Sequence, residues 1–332
     1  MANVSPSSSP KYSILITSFR SLRFLDDCLG SLLKLTGPTY EILFLENGSP
    51  EPEAEWIENH IQDSRLRVFR LSKTRYFTGG IQFLAERAQG EFIVLLNSDT
   101  RVNPNWLEVL DDYLLATGYE GANSDVRQMS HPDEPENGKF CLDPLGLTHF
   151  LPLLRTKQDA PLIAGGCGLA VKRNLFNELG GLDDDYKMYF EDIDLCWRFG
   201  LADYRIGYAP GAILHHAVGG SSVNTFFLWN RFRDRRNRIS SFLKNAGPLL
   251  LAVFIPGHFC IWLGTIAKNL LTGNFRAVLV ESAALTSVLF HLRATLSKRR
   301  AVQRTRKLTD AEIMRRGFMI PRFKFVARLF GV

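Results

Sequence analysis

The sequence predicts an α/β fold, in which helices flank a mostly parallel sheet, followed by a basic, apolar helical region. Strand-like and helix-like patterns alternate over roughly the first hundred residues, which is typical of βα units. Residues 92–96 (FIVLL) form a continuous apolar run, as in strands buried on both faces. The chain has 332 residues, 45% of them hydrophobic, which is enough for a substantial core.

The predicted elements follow in order along the front half. Residues 12–17 form a β-rich run, and leucines then recur at helical spacing over residues 21–35. The second strand, 41–45, ends at the turn signal Asn47-Gly48-Ser49-Pro50. The next predicted elements are a helix over 53–62, a strand over 66–69, a helix over 81–88 and the apolar strand 92–96.

The second part of this α/β region has fewer regular patterns. We expect a helix over 103–115, a polar, turn-rich excursion over 123–150, a small apolar segment over 162–171 and a helix over 189–200. A final strand over 205–208 enters the turn Pro210-Gly211.

Composition divides the chain into three parts. Residues 1–10 are rich in Ser and Pro and are predicted to be a disordered tail without a secretory signal. The α/β domain covers 11–224, and the helical region covers 225–332. The five cysteines are widely spaced and include no C-x-x-C pair, so the sequence indicates a reducing compartment and neither a disulfide framework nor a zinc site.

The net charge of +6 is unevenly distributed. Residues 225–332 carry 20 Lys and Arg against 4 Asp and Glu, whereas residues 1–224 carry 20 against 30. An acidic domain disfavours nucleic-acid binding, and a basic tail with apolar stretches favours an anionic membrane surface. We therefore expect a cytoplasmic protein associated with the cytosolic face of the membrane.

The helical region contains a long uncharged run. Residues 246–267 contain no Lys, Arg, Asp or Glu, and Pro256-Gly257 interrupts the run near its centre. Basic residues flank it on both sides, which a single span would not favour. We expect a kinked interfacial or re-entrant hairpin with 277–292 as its second arm; the alternative is a water-soluble helical subdomain.

Three places in the sequence carry side chains suited to catalysis. Asp99 follows the apolar strand 92–96 and is a candidate ligand for Mg²⁺ or Mn²⁺, or alternatively a cap for the next turn. Glu191 and Asp192 start a helix, where acids are also favoured by the helix dipole. His215 lies near a strand end and is a candidate metal ligand, or alternatively an exposed loop histidine.

These segments together resemble glycosyltransferase family 2, the GT-A-fold enzymes, and within it the rhamnosyltransferase-like branch. The resemblance covers roughly residues 11–245. It is carried by the following segments: 14–19 (ILITSF), 45–49 (LENGS), 95–100 (LLNSDT), 164–166 (AGG), 180–198 (GGLDDDYKMYFEDIDLCWR), 210–212 (PGA) and 215–216 (HH).

The resemblance implies roles for particular residues. Asp99 would be the main metal ligand in the D-x-D position and His215 would complete the metal shell. Asp192 would be the general base, with Glu191 beside it, and the nucleotide-binding half would be about 11–100 and the acceptor half about 101–224. The implied nucleotide-binding residues are Thr17, Ser18, Glu46, Asn97 and Ser98, and the implied acceptor-binding residues are Asp183 and Asp184.

Two positions depart from the family pattern. Glu46 stands where the family usually has Asp, and Asn97 replaces the first acid of the D-x-D position. Asp99 is therefore the only charged ligand there.

The resemblance implies a metal-dependent, inverting glycosyltransferase. It would move a sugar from dTDP-rhamnose or a UDP-sugar to a hydroxyl of a glycan or a lipid-linked acceptor in cell-surface polysaccharide synthesis. The alternatives are a nucleotidyltransferase and a non-catalytic membrane scaffold. A nucleotidyltransferase is disfavoured because Thr17-Ser18-Phe19-Arg20 is not a glycine-rich phosphate loop. The scaffold is disfavoured because Asp99, Asp192 and His215 are all present.

Overall fold

The computed structural model describes residues 9–135, 139–151, 164–217 and 227–320. Most of the predicted N-terminal tail and the first residues of the apolar segment 162–171 therefore lie outside the described residues. The chain forms two compact units, the first made of residues 1–136, 166–180 and 209–221, and the second of 137–165, 181–208 and 222–332.

The first unit is built around a mixed sheet. Its described strands are β1 (Tyr12–Ser18), β2 (Tyr40–Asn47), β3 (Leu66–Leu71), β4 (Phe92–Asn97), β5 (Thr100–Val102), β6 (Gly121–Gln128), β7 (His131–Pro135), β10 (Leu169–Lys172) and β11 (Ile206–His216). Over the described residues these nine strands have the order β3-β2-β1-β4-β10-β6-β11-β5, and β7 pairs with β6. The first four strands of this order are parallel, as predicted, whereas β10 runs antiparallel to both β4 and β6.

Helices cover this sheet because their apolar residues recur on one face. Leu25, Cys28, Leu29 and Leu32 are buried along one side of the first helix and join the core with residues of β1, β2 and β4. The helices of this unit are α1 (Leu25–Leu32, after a 3-10 turn), α2 (Glu53–His60), α3 (Tyr76–Ala85), α4 (Trp106–Thr117) and α5 (Arg173–Glu178).

The predicted excursion over 123–150 instead contains strands β6 and β7 and part of a separate hairpin. The sequence of β6 is polar, yet Asn123, Ser124 and Asp125 are buried in it. Ser124 Oγ accepts a hydrogen bond from Trp106 Nε1 at 2.9 Å and donates one to Gly168 O at 2.8 Å. These tertiary hydrogen bonds compensate the burial of the Ser124 hydroxyl and of the Trp106 indole N–H.

Strand β11 is longer than predicted. The predicted strand ended at residue 208, but β11 continues through Pro210 and Gly211 to His216. Gly211 has a φ of 85°, a conformation that glycine adopts without strain, so the turn-like sequence is accommodated inside the strand.

The second unit is mainly helical. Its aromatic core joins three helices: Trp197 packs edge-on against Phe242 at 4.8 Å between ring centroids, and Phe242 stacks on Phe254 at 4.2 Å. Its elements are β8 (Lys139–Leu142), β9 (Thr148–Leu151), α6 (Glu191–Leu201), α7 (Phe227–Asn245), α8 (Pro248–Leu271), α9 (Phe275–Phe290), α10 (Leu292–Thr305) and α11 (Asp310–Arg315).

Residues 181–208 group with the C-terminal helices and not with the sheet, so this division differs from the boundary expected at residue 224. The reason is a set of buried contacts that tie α6 to α7, centred on Asp194. The predicted kinked hairpin corresponds to α8 and α9, which are joined by a short turn, and Pro256 lies inside α8.

Candidate active site

The ends of three parallel strands bring the predicted nucleotide-binding residues together in the first unit. Ser18 of β1 is in register with Glu46 of β2, and Thr17 is in register with Asn97 of β4. Ligands of open parallel sheets bind beyond the carboxyl ends of the strands, which is where these residues lie.

The start of α3 is held by one buried amide, that of Asn47 at the end of β2. Asn47 Nδ2 donates hydrogen bonds to Thr17 Oγ1 at 3.0 Å and to the Tyr76 carbonyl oxygen at 2.6 Å, and Asn47 Oδ1 accepts one from the Arg75 backbone N–H at 2.8 Å. Gly80 of α3 leaves no space beside this cluster, since a Cβ there would lie 2.4 Å from Thr17 Oγ1. The strand ends are therefore held rigidly against the start of α3.

Glu46 is already partly engaged within the protein. One carboxylate oxygen accepts a hydrogen bond from the Ala54 backbone N–H at 2.7 Å, which anchors the start of α2. The carboxylate has a second oxygen and further lone pairs, so its predicted contact to a nucleotide stays a prediction.

Asp99 lies in the tight turn between β4 and β5. Thr100 Oγ1 donates to the Asn97 carbonyl oxygen at 2.8 Å, and the Ala217 backbone N–H donates to the Asp99 carbonyl oxygen at 2.9 Å. Asp99 is buried, and these bonds fix its backbone on both sides.

His216, and not His215, lies beside Asp99. His216 Nε2 is 3.2 Å from Asp99 Oδ1 and 3.2 Å from the side-chain amide nitrogen Nδ2 of Asn97. Successive side chains of a strand point to opposite faces, and both histidines belong to β11, so only one of them can join this cluster. The alternation along the strand predicts that the two histidines face opposite sides of the sheet, once the strand is known to continue to residue 216.

His215 has a different environment. It is opposite Arg101 in the pairing of β11 with β5. Burial lowers the pKa of His215, and the positive charges of Arg101 and Arg127 lower it further. Its Nδ1 atom is buried without a hydrogen-bond partner among the described residues.

The Asp99 cluster fits a divalent cation that is shared with a substrate. The cluster consists of the Asp99 carboxylate and the His216 imidazole, with the Asn97 side-chain amide beside them. Mg²⁺ is commonly bound in proteins through one or two carboxylates plus substrate phosphates. No group of three or more His, Cys, Asp or Glu able to hold a metal occurs among the described residues. The remaining ligands would therefore come from a diphosphate and water.

The second unit contains the predicted acid pair at the start of α6. Glu191 is buried, and its Oε2 atom has no hydrogen-bond partner in the described part of the chain. Burial, reinforced by the negative charge of Asp192, raises the pKa of Glu191 to about 8. Asp192 is only half-buried, and its Oδ1 accepts the Ile193 backbone N–H at 2.7 Å. Glu191 is therefore mostly protonated at neutral pH.

Asp183 is held in buried ion pairs, and its predicted contact to an acceptor stays a prediction. Its carboxylate pairs with Lys244 Nζ at 2.7 Å and with Lys298, and its side chain is 6% exposed. Burial alone would raise the pKa of Asp183, but the two ammonium groups hold it below its usual range. Asp184 is exposed, so of the two predicted residues it is the one accessible to a ligand.

Asp194 is the centre of a buried polar cluster that the sequence did not predict. Asp194 and Arg198, which have i,i+4 spacing in α6, form an ion pair at 2.9 Å. Three residues of α7 add to it: Lys244 Nζ at 2.9 Å from Oδ2, and Ser241 Oγ and Asn245 Nδ2 at 2.8 and 2.9 Å from Oδ1. The positive charges hold the pKa of Asp194 low although burial would raise it.

Comparison with known proteins gives a family match and several distant relatives. The family model "Glycosyl transferase family 2" matches residues 13–180. The chain is 46% identical over 55 residues, 16% of this chain and 18% of the relative, to N-acetylglucosaminyl-diphospho-decaprenol L-rhamnosyltransferase of Mycobacterium tuberculosis. It is 22% identical over 210 residues to poly-beta-1,6-N-acetyl-D-glucosamine synthase of Staphylococcus epidermidis, which covers 60% of this chain and 48% of that protein.

A solved structure shows the same fold over most of the chain. The mannosyltransferase PcManGT from Pyrobaculum calidifontis, in complex with GDP-Man and Mn²⁺, is similar with a TM-score of 0.55 and 16% identity, over 91% of this chain and 88% of that one. The chain spans 27% and 48% of the length of two curated relatives that it matches.

Proposed function

Because this chain belongs to glycosyltransferase family 2, we propose that it transfers a sugar from a nucleoside diphosphate to a hydroxyl group, with inversion at the anomeric carbon. The observation that carries the proposal is the pairing of Asp99 with His216 at the strand edge that also holds Thr17, Ser18 and Glu46. This arrangement supports binding of a nucleotide diphosphate at one place in the first unit.

In the proposed mechanism Asp192 is the general base. It removes the proton from the acceptor hydroxyl, and the resulting oxygen attacks the anomeric carbon from the face opposite the nucleotide. The bond from that carbon to the diphosphate breaks as the new glycosidic bond forms, and the nucleoside diphosphate leaves. Asp192 suits this role better than Glu191, because Asp192 is half-buried and therefore more accessible to an acceptor, whereas Glu191 is buried.

The chain's own residues hold the leaving group. Asp99 and His216 would bind a divalent cation, Mg²⁺ or Mn²⁺, which when bound offsets negative charge on the departing diphosphate. Thr17, Ser18 and Glu46 would contact the nucleoside, with Asn97 and Ser98 near the phosphates. His215, on the opposite face of β11, would not join the cation.

The proposed donor is dTDP-rhamnose or a UDP-sugar, and the proposed acceptor is a glycan or a lipid-linked sugar in cell-surface polysaccharide synthesis. The names of the relatives support this class. One is a rhamnosyltransferase whose acceptor carries a decaprenyl diphosphate, and another is a polysaccharide synthase.

We also propose that the enzyme works at the cytosolic face of a membrane, attached through α8. Among the described residues, Pro248–Leu271 is long and apolar enough to cross a bilayer, and only 11% of its most apolar 18-residue window is buried. Ile255, Phe259 and Leu263 are about half exposed at i, i+4 and i+8, so they form one apolar face. A core helix of a water-soluble protein would bury this face.

The basic residues near α8 contribute less to membrane binding than their number indicates. Arg231 and Arg235 of α7 pair with the buried Glu281 of α9 at 2.8 and 3.3 Å. Arg238 pairs with Asp234, and Lys244 is buried. We therefore propose that apolar contact with lipid supplies most of the attachment and that ionic attraction supplies a smaller part.

Incubation of the purified protein with Mn²⁺ and a donor panel tests the proposed reaction. The panel contains dTDP-rhamnose, UDP-N-acetylglucosamine, UDP-galactose and GDP-mannose, with water as the acceptor. Release of a free nucleoside diphosphate from one donor supports the proposal. Formation of pyrophosphate from a nucleoside triphosphate and a sugar phosphate would indicate a nucleotidyltransferase, and no product would indicate a scaffold.

A further inference from the structure

The side-chain amide of Asn237, in α7, holds the chain segment that leads into α6. Asn237 is fully buried. Its Nδ2 atom lies 3.0, 3.0 and 2.8 Å from the carbonyl oxygens of Tyr186, Met188 and Tyr189, so its two N–H groups are shared among three acceptors. Neighbouring Arg236 donates to Asn237 Oδ1 at 3.0 Å, which fixes the orientation of the amide.

The segment that Asn237 holds has an unusual backbone. Lys187, Tyr189 and Phe190 have φ values of 64°, 70° and 70°, in the left-handed region that side chains other than glycine rarely adopt. Such a conformation persists only where surrounding contacts determine it. The carbonyl groups that Asn237 binds lie within this segment, and Phe190 is the N-cap residue of α6.

The rest of α6 is fixed separately. Ser241, Lys244 and Asn245 lie on α7 at positions i+4, i+7 and i+8 from Asn237, and all three bind Asp194. Loss of the Asn237 amide therefore leaves the body of α6 anchored. The same loss releases only the strained segment 187–190, which precedes Glu191 and Asp192.

We propose that Asn237 is a positioning residue for the reaction. By holding the carbonyl groups of residues 186, 188 and 189, it fixes the point where α6 begins and thereby the direction of the Asp192 carboxylate. This inference rests on the proposed role of Asp192 as general base. A misplacement of about 1 Å in a catalytic group lowers turnover by roughly 100-fold, so a modest shift of the first turn has a measurable effect.

Substitution by leucine removes the amide and keeps the approximate shape of the side chain. Asn237→Leu should lower kcat for donor hydrolysis by about 10- to 100-fold. The donor KM and the affinity for UDP with Mn²⁺ should stay within about 3-fold of the wild-type values, because residues of the first unit bind the nucleotide. The assay uses the panel donor with the highest wild-type rate.

The matched control is Asn269→Leu. Asn269 is a buried asparagine of the same unit, and its Nδ2 donates to the Thr265 carbonyl oxygen at 2.9 Å within α8. This variant also loses an amide hydrogen bond, which is partly buried, but it leaves the segment before α6 untouched. It should therefore lower Tm and leave kcat within about 2-fold of wild type.

The aspartate variant gives a readout that general destabilisation would not produce. In Asn237→Asp an ionised carboxylate faces carbonyl oxygens and repels them, whereas a protonated carboxyl donates one hydrogen bond. Burial among these oxygens raises the pKa of the introduced carboxyl. The ratio of variant to wild-type kcat should therefore rise as pH is lowered from 8.5 to 5.5, while the ratio for Asn237→Leu stays flat.

A double-mutant cycle with Asp192→Asn separates the two claims. If Asn237 acts through Asp192, Asn237→Leu should lower kcat by less than about 3-fold in the Asp192→Asn background. If Asp192→Asn itself has near-normal turnover, the proposed base is wrong. If Asp192→Asn is defective but Asn237→Leu keeps wild-type kcat, or loses as much activity in both backgrounds, the positioning role of Asn237 is overturned.

Discussion

His216 Nε2 lies 3.2 Å from Asp99 Oδ1, where the end of β11 pairs with β5. The neighbouring His215 lies on the opposite face of the same strand. This relationship distinguishes His216 from the adjacent His215, to which the family resemblance assigned the metal shell.

The two histidines should therefore differ in their effect on metal-dependent nucleotide binding. We predict that His216→Ala weakens Mn²⁺-dependent binding of UDP or dTDP by about 10-fold or more, and that Asp99→Ala weakens it further, since Asp99 is the only acid of the cluster. His215→Ala should change it by less than about 3-fold. Isothermal titration calorimetry with and without EDTA measures these affinities. A larger loss in His215→Ala than in His216→Ala would refute the assignment.

The buried carboxyl of Glu191 should make stability depend on pH. Its folded-state pKa, about 8, lies above the value of an unfolded glutamate, so the folded state binds the proton more tightly. The contribution of the Glu191 carboxyl to the free energy of unfolding is fully present below the pKa of the unfolded state. It is lost as pH rises through the folded-state pKa of about 8. The Tm of the wild type should therefore fall by several degrees more than that of Glu191→Gln between pH 5 and pH 9. Parallel curves for the two proteins would contradict the raised pKa, and Asp184→Asn, at an exposed position, is the control.

Removal of Lys244 should destabilise the second unit strongly. Its ammonium group pairs with both Asp183 and Asp194, and its side chain is 3% exposed. Lys244→Met leaves buried carboxylates with less compensation, which costs about 3–5 kcal/mol. Lys34→Met, at an exposed position, should cost less than about 0.5 kcal/mol. Urea denaturation followed by circular dichroism measures the difference, and equal midpoints for the two variants would show that the buried pairs contribute little.

The apolar face of α8 should control membrane attachment. We predict that the full-length wild type sediments with vesicles containing anionic lipid and is only partly released by 1 M NaCl. The triple variant Ile255→Gln, Phe259→Gln, Leu263→Gln should stay in the supernatant while it binds UDP normally, because these side chains are exposed. Leu115→Gln removes an exposed leucine of α4 and serves as the control. Vesicle binding by the triple variant that equals the wild type would exclude α8 as the attachment site.

The periodicity of the sequence was sufficient to predict the parallel strands and most of their helices. It failed where tertiary contacts override local patterns. Strand β6 is polar, and hydrogen bonds such as those of Ser124 to Trp106 and Gly168 offset part of the cost of burying it. Strand β11 continues through Pro210-Gly211, a pair that ordinarily indicates a turn.

The candidate site was predictable to the extent that strand ends and helix starts are visible in sequence. Asp99, Glu191 and Asp192 lie where the patterns placed them, at a strand end and in the first turn of a helix. The environment of Asp183 was not predictable, because Lys244 and Lys298 are 61 and 115 residues away along the chain. Long-range ion pairs of this kind leave no local signal.

The central claim is that Asp192 is the base of an inverting sugar transfer, and the turnover of Asp192→Asn tests it most directly. With the most active donor of the panel and Mn²⁺, Asp192→Asn should release nucleoside diphosphate about 100-fold more slowly than the wild type, or slower, with donor KM nearly unchanged, because the lost interaction exists only in the transition state. Glu191→Gln should show the smaller defect of the two. Turnover of Asp192→Asn within a few-fold of wild type, or a larger defect in Glu191→Gln, would contradict the account.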